Sequence, residues 1–299
     1  MELQSFVTVQ IQTFDPNANL VKLSVPSQED EVSVHTLQSK VCEHLGLKKS
    51  SWKYFCLCQG LDKPVKRYKA SEMLLVPVKD LSLQKWCFNP AEERRLLKTD
   101  SQAVHLLSLQ AQHHQSVGKL QPTEAEKLKL EECLEPTFVM EEQYVTQCQK
   151  LPNYFSVCVR NCQLCHALQV PASTTAWPRN SLLSVFVSKH GLKVVSDNSE
   201  ELVISWYEVV QWVWHEGERT LTYTMQVREC SPLIELRLMS IQAEYLLSAT
   251  MEGVSTLMVD DDDSPTFHAS MISTLADGSK QWNNCLFEPA KAADSKHLI

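Results

Sequence analysis

The spacing of apolar residues changes twice along the chain, and those changes restrict the folds open to it. Near the N-terminus the period is two: Phe6 to Gln12 alternates, Asp15-Pro16-Asn17-Ala18-Asn19 is turn chemistry, and Val21, Leu23 and Val25 alternate again. Val34, Leu37, Val41 and Leu45 then recur at helical spacing, with Gly46 where a helix end favours a left-handed residue. Short apolar runs follow at Tyr54–Cys58, Met73–Val78 and Leu81–Phe88, which completes the order of a ubiquitin-like β-grasp over 1–88. Residues 89–160 read as a helical bundle. Val104, Leu107 and Ala111 make one stripe, Thr123 and Glu126 form a capping box, and Pro136 suits the first turn of a helix faced by Met140, Tyr144 and Cys148. After a linker over 161–180 the period returns to two, from Leu183, Val185 and Val187 through to Ile234, Leu236 and Leu238. A helical run then carries Ala243, Leu247, Thr250, Val254 and Leu257. Strands closed by one helix over 181–259 describe a PH/PTB-like β-sandwich with a C-terminal helix. Residues 260–299 open with Asp260 to Asp263 and are expected to be an acidic, disordered tail.

Composition narrows function. Only 7 of 299 residues are glycine, and none are spaced as in a dinucleotide-binding turn, a phosphate-binding loop or a serine-hydrolase elbow. No HExxH zinc motif occurs, so most nucleotide-dependent and zincin chemistry is disfavoured, and no cofactor is expected. Eleven cysteines, an odd number with no regular spacing, suit reduced thiols in a cytoplasmic protein. No apolar run reaches the length of a membrane span, and no signal sequence opens the chain. The net charge of −8 argues against nucleic acid as a partner. Positive charge is nonetheless concentrated between Leu47 and Lys85, where nine lysines and arginines stand against three acidic residues, a net +6. Lys48, Lys49, Lys53, Lys66 and Arg67 are therefore the candidates for contact with an anionic membrane surface or an acidic protein; a solvated face is the plainer reading.

Particular residues carry a family likeness. Lys85-Trp86-Cys87-Phe88, Glu92-Glu93, Leu96-Leu97, Asp100, Ala103-Val104, Gln110-Ala111 and Gly118 resemble the entry of the helical lobe in the FERM-bearing sorting nexins 17, 27 and 31. Glu208-Val209-Val210-Gln211-Trp212 is similar to a strand of their third lobe that ends in tryptophan. Leu236-Arg237-Leu238-Met239-Ser240-Ile241-Gln242 is similar to their corner between strand and helix. The resemblance implies an α+β, three-lobed FERM module: a non-enzymatic cytosolic adaptor, peripheral on endosomal or other membranes. Its third lobe would bind NPxY-like sorting motifs in the cytoplasmic tails of membrane proteins. Those sorting nexins carry a PX domain ahead of the FERM module, whereas this chain begins at the FERM itself, so phosphoinositide reading through PX is expected to be missing.

Three readings stay open on the sequence. In the first, a peptide adds to a free edge at Ile234–Leu238 and is gripped by Trp212, Leu236, Leu238, Leu247, Met251 and Val254. The second is a scaffold whose first two lobes dock a Ras-family GTPase through the basic residues. The third is a module kept for assembly alone, its groove filled by the tail beyond Asp263. Cys158, Cys162, Cys165 and His166 have partial zinc spacing but lack a second CxxC or HxxxH, and are read as unliganded thiols. No cysteine–histidine pair is marked as catalytic, and no catalytic or metal-binding residue is assigned.

Overall fold

The computed structural model describes residues 5–17, 19–27, 31–135, 139–170, 175–226, 232–260, 272–275 and 277–284. The chain divides into two units, Met1–Phe155 and Ser156–Ile299.

The first unit begins with β1 (Ser5–Gln12) and β2 (Leu20–Ser27), an antiparallel pair in continuous register from Ser5↔Ser27 to Gln12↔Leu20. β3 (Glu31–Ser33) leads into α1 (Val34–His44). The Ser33 hydroxyl caps α1 by accepting from the Thr36 N–H, and Gly46 beyond its end has φ +75°. A 3₁₀ turn over Lys49–Tyr54 is followed by β4 (Phe55–Gln59), β5 (Lys66–Arg67), β6 (Met73–Leu75) and β7 (Leu81–Lys85). The main sheet runs β2-β1-β7-β4-β5, with β1 and β7 parallel, while β3 and β6 pair separately. Val9, Ile11, Val21, Leu23 and Val25 face a core shared with Val34, Leu37 and Val41 of α1.

Four helices complete this unit: α2 (Pro90–Thr99), α3 (Ser101–Ser116), α4 (Glu124–Cys133) and α5 (Glu141–Cys148). Thr123 and Glu126 form the expected capping box. Pro136 lies outside the described residues, and α5 starts at Glu141. Asp100 caps α3 through the N–H groups of Gln102 and Ala103, and its other oxygen accepts the Lys48 N–H at 2.8 Å. Burial works to raise the Asp100 pKa, but the Ser51 hydroxyl and the N–H groups of Lys48, Ala103 and Gln102 outweigh it and hold the carboxyl below its ordinary value. A buried ion pair joins sheet to helices. Lys85 Nζ at the end of β7 lies 2.6 Å from Glu93 Oε2 on α2, and Glu93 Oε1 accepts from Gln149 Nε2 at 3.0 Å. Lys85 also sits 3.7 Å from the Tyr154 ring centroid, and its N–H donates to Gln110 of α3.

The second unit contains β8 (Val157–Leu164), β9 (Leu168–Gln169), β10 (Ala176–Trp177), β11 (Leu182–Ser188), β12 (Gly191–Ser196) and β13 (Glu201–Ser205). It continues with β14 (Val209–His215), β15 (Thr220–Met225), β16 (Ile234–Met239), α6 (Ala243–Asp260), β17 (Ile272–Thr274) and β18 (Lys280–Asn283). Nine strands follow the order β13-β12-β11-β8-β16-β15-β14-β18-β17, and every neighbouring pair is antiparallel. α6 packs on β8, β11 and β15, where Thr250 Oγ1 is 2.6 Å from the Tyr223 hydroxyl. Gly253 lets α6 approach: a Cβ there would stand 2.6 Å from the Ser188 carbonyl oxygen and 3.1 Å from the Trp206 ring.

Three expectations are corrected. Residues 161–180 are no plain linker, since β8 enters them, β9 and β10 lie within them, and the second unit starts at Ser156. The strand was hidden because a bulge breaks its alternation: Val157, Val159, Cys162 and Leu164 are buried, while Arg160 and Asn161 are both exposed, with Asn161 at φ +57°. The stretch beyond Asp260 is not wholly disordered, because β17 and β18 join the sheet; residues 261–271, 276 and 285–299 lie outside the described residues. Ile234–Met239 is not a free edge. β16 pairs along its whole length with β15 and, at Leu238 and Met239, with β8.

Two substitutions test this packing. Glu93→Ala leaves the Lys85 ammonium buried without its counter-charge, and should lower stability by about 3 kcal/mol or more in urea unfolding followed by amide exchange over 81–99. Lys85→Met with Glu93→Leu should recover most of that loss; an equal loss in both variants would show that the charge pair is not what joins β7 to α2. Gly253→Ala gains about 1 kcal/mol of helix propensity, but the contact with the Ser188 carbonyl should turn this into a net loss of roughly 1–3 kcal/mol. A melting temperature at or above the wild-type value would show that α6 can shift away.

Candidate functional site

Peptide recognition by strand addition needs a sheet edge whose carbonyls and N–H groups face outward. In the second unit the sheet ends on β13 and β17, and β14 becomes an edge only when the short strand β18 is set aside. One side of β14 pairs with β15, and the ladder skips between Val209 and Gln211. Just before it, a 3₁₀ turn over Trp206–Glu208 is closed by a capping box between Ser205 and Glu208. Turn and bulge together leave the Trp206, Val209 and Val210 carbonyls outside the β15 ladder, where a second chain segment can use them.

The chain itself supplies that segment. β18 pairs antiparallel with β14 in the register Gln211↔Asn283, Trp212↔Trp282, Val213↔Gln281 and Trp214↔Lys280. Beyond it, the Asn284 N–H donates to the Val210 carbonyl at 2.9 Å. The Asn284 amide Nδ2 donates to the carbonyls of Trp206 at 2.5 Å and Val209 at 2.7 Å, both buried. Gln281 Nε2 donates to Gln211 Oε1 at 2.6 Å, and the Trp282 side chain is buried. On the far side β17 pairs with β18, and the connecting turn is held by Asp277, which accepts from the Ser279 N–H at 2.9 Å and from its hydroxyl at 2.6 Å. Those two hydrogen bonds lower the Asp277 pKa.

Of the residues expected to grip a peptide, only Trp212 lies on β14, its side chain fully buried and its backbone opposite Trp282. Leu236 and Leu238 are fully buried within β16, opposite Tyr223 and Leu221 of β15. Leu247 and Val254 are buried on α6, and Met251 is half-buried. Val209 and Gln211 stand out in the sequence only within the Glu208–Trp212 likeness, and Trp282 and Asn284 not at all. The signal available for them was a lone Trp-Asn-Asn in an otherwise polar stretch.

The basic residues are largely engaged within their own unit. Lys48 donates from Nζ to the Thr99 carbonyl, Lys53 lies 3.6 Å from Glu92, and Lys66 pairs with Glu72 at 3.0 Å. The Arg67 guanidinium stacks 4.5 Å from the Trp86 ring centroid, and Lys49 is exposed. In the cysteine cluster, the buried Cys162 thiol faces the Val159 carbonyl, and burial pushes its pKa up to about 12. Cys165 faces the Gln163 carbonyl, and His166 Nε2 lies 2.9 Å from the Glu235 carbonyl oxygen. Among the described residues no three histidine, cysteine or acidic side chains converge as metal ligands, and no helix is long and apolar enough to cross a membrane.

No family model matches the sequence, and no curated protein sequence matches it. Among solved structures, a mutant of the MyTH4-FERM MF2 domain of Dictyostelium discoideum myosin VII is similar with a TM-score of 0.56 at 10% identity, over 82% of this chain and 60% of that one. Another structure of that domain gives 0.54 at 10% identity, over 83% and 58%. The chain thus spans about three-fifths of the length of these neighbours. A likeness at this identity is one of fold, and the protein has a FERM-like fold.

Proposed function

We propose that the chain is a three-lobed FERM adaptor whose PTB-like lobe binds short NPxY-like sorting motifs from the cytoplasmic tails of membrane proteins. In this reading the first sheet with α1 is the ubiquitin-like lobe, α2 to α5 form the helical lobe, and β8 to α6 form the PTB-like lobe. The reader edge is β14, not β16. One observation carries the proposal: the outer side of β14 receives an extended segment, with an asparagine amide bonded to the Trp206 and Val209 carbonyls. Backbone pairing of this kind gives affinity, and the asparagine gives register. The likeness of Glu208–Trp212 to a third-lobe strand of FERM-bearing sorting nexins supports an endosomal cargo reader, peripheral on its membrane. A Ras-family GTPase or an anionic lipid surface has less support, because Lys48, Lys53, Lys66 and Arg67 are occupied by Thr99, Glu92, Glu72 and Trp86.

The test is fluorescence anisotropy with labelled receptor-tail peptides, using the full chain and its Asn284→Ala variant. Intact NPxY peptides should bind at about micromolar Kd, near −8 kcal/mol. Replacing the peptide asparagine by alanine should weaken binding at least tenfold. Equal binding of intact and asparagine-free peptides by both proteins would exclude the reading.

A further inference from the structure

We propose that the groove between α2 and α5 of the first unit binds an acidic linear peptide anchored by an aliphatic side chain. α2 buries Glu93, Leu96 and Leu97, so helical spacing places Ala91, Arg94, Arg95 and Lys98 on the opposite, exposed stripe. That stripe walls two clefts of about 760 and 500 Å³, which share Leu97, Lys98 and Glu142 and so run into one another. Leu97 and Val104, both buried, give the groove an apolar floor, while Val139 stands 54% exposed at its rim. The facing wall is the first turn of α5, with Glu141 and Glu142.

Charge fixes the sign of the ligand. At one end of the groove the charges are satisfied internally: Lys48 donates to the Thr99 carbonyl, Asp100 caps α3, and Glu141 lies 2.6 Å from His105. Arg95 is likewise held, by Glu92 at 2.7 Å and the Tyr54 hydroxyl at 3.0 Å. Arg94 and Lys98 make no ion pair or side-chain hydrogen bond among the described residues. They stand four residues apart on one helix face, where like charges repel and cost helix stability. Carboxylates entering the groove relieve that repulsion and meet both cations from one side. A solvated cationic face would account for the charges but not for a concave surface with an apolar floor and an exposed valine at its rim. A bilayer fits less well, because a flat surface does not enter a cleft and the exposed Glu142 would face its anionic headgroups. A peptide enters with its carboxylates towards α2, its aliphatic side chain on Leu97 and Val139, and its neutral or basic groups towards Glu142. The groove belongs to the first unit and β14 to the second, so this surface is independent of the peptide reader proposed above.

The experiment selects binders from a displayed library of random peptides on the full chain and, in parallel, on its Arg94→Glu/Lys98→Glu variant. Both substituted side chains are exposed, so the variant should keep the wild-type melting temperature. Sequences found on wild type and lost on the variant should carry aspartate or glutamate around a leucine, isoleucine or valine. One such peptide, synthesised and labelled, should bind at least about tenfold more weakly to the double variant and to a Val139→Asp variant. Lys49 is exposed and lines neither cleft, so Lys49→Glu should leave the affinity unchanged. If every enriched sequence is shared by both chains, as NPxY-like ones would be, the groove proposal fails while the reader proposal stands. A loss in Lys49→Glu equal to that in the double variant would reduce the effect to general attraction and overturn the groove as well. Vesicles of phosphatidylcholine and phosphatidylserine probe the other source of negative charge. Vesicle binding that the double variant loses, with no acidic peptide selected, would assign the cations to a membrane and overturn the proposal.

Discussion

A β-strand offers hydrogen-bonding groups on two sides, and one left exposed at a sheet edge is open to pairing with another chain. Much of the second unit is organised around meeting that requirement at β14. The strand carries Trp212, Val213 and Trp214 as buried side chains, so it cannot be short or highly charged, the usual ways in which an edge is blunted. β18 covers it, adding the buried Trp282 side chain, and the sheet then ends on the three-residue strand β17. The Trp206 turn serves the same end: its ring packs against Gly253 of α6, which seats the helix, while its carbonyl accepts the Asn284 amide. One residue thereby couples the closing helix to the occupancy of the edge.

The first unit meets a different constraint, since it must join a sheet to a helical bundle through a shared core. Lys85, Glu93 and Gln149 lie where β7, α2 and the end of α5 meet, and Tyr154 and Phe155 place their rings beside the ammonium. Replacing such a pair with apolar side chains need not cost stability, so its value lies as much in fixing one arrangement as in binding energy. The nearby basic residues are drawn into the same economy of charge. Lys48 stays with Thr99 and Asp100, and Lys66 with Glu72, so a stretch that is strongly positive in sequence presents a partly neutralised surface.

Local patterns were the legible part. Alternation marked β1, β2, β11 and β15, helical spacing marked α1, α3 and α6, and the Thr123–Glu126 box marked the start of α4. These signals are readable because each depends on neighbours within a few residues. β8 escaped because its bulge shifts the buried face from Val159 to Cys162, and the cysteines there read as unliganded thiols of a linker. The peptide edge was placed on Ile234–Leu238 because alternating apolar residues mark a strand without saying what lies beside it. Central and edge strands can carry the same pattern, and β16 proved to be flanked by β15 and β8.

By itself, then, the sequence determined where the chain turns, which faces are apolar and the succession of strand-rich, helical and strand-rich segments, all encoded by neighbours close along the chain. Only the tertiary structure decided which strand is an edge, which cations are neutralised and where the stretch beyond α6 goes. Each of those outcomes depends on partners far apart in sequence: Trp282 meets Trp212 seventy residues away, and Lys48 meets Asp100 across fifty-two. Sheet pairing uses backbone groups that every residue but proline carries in full, so nothing in the identity of residues 280–283 announced the strand they would join.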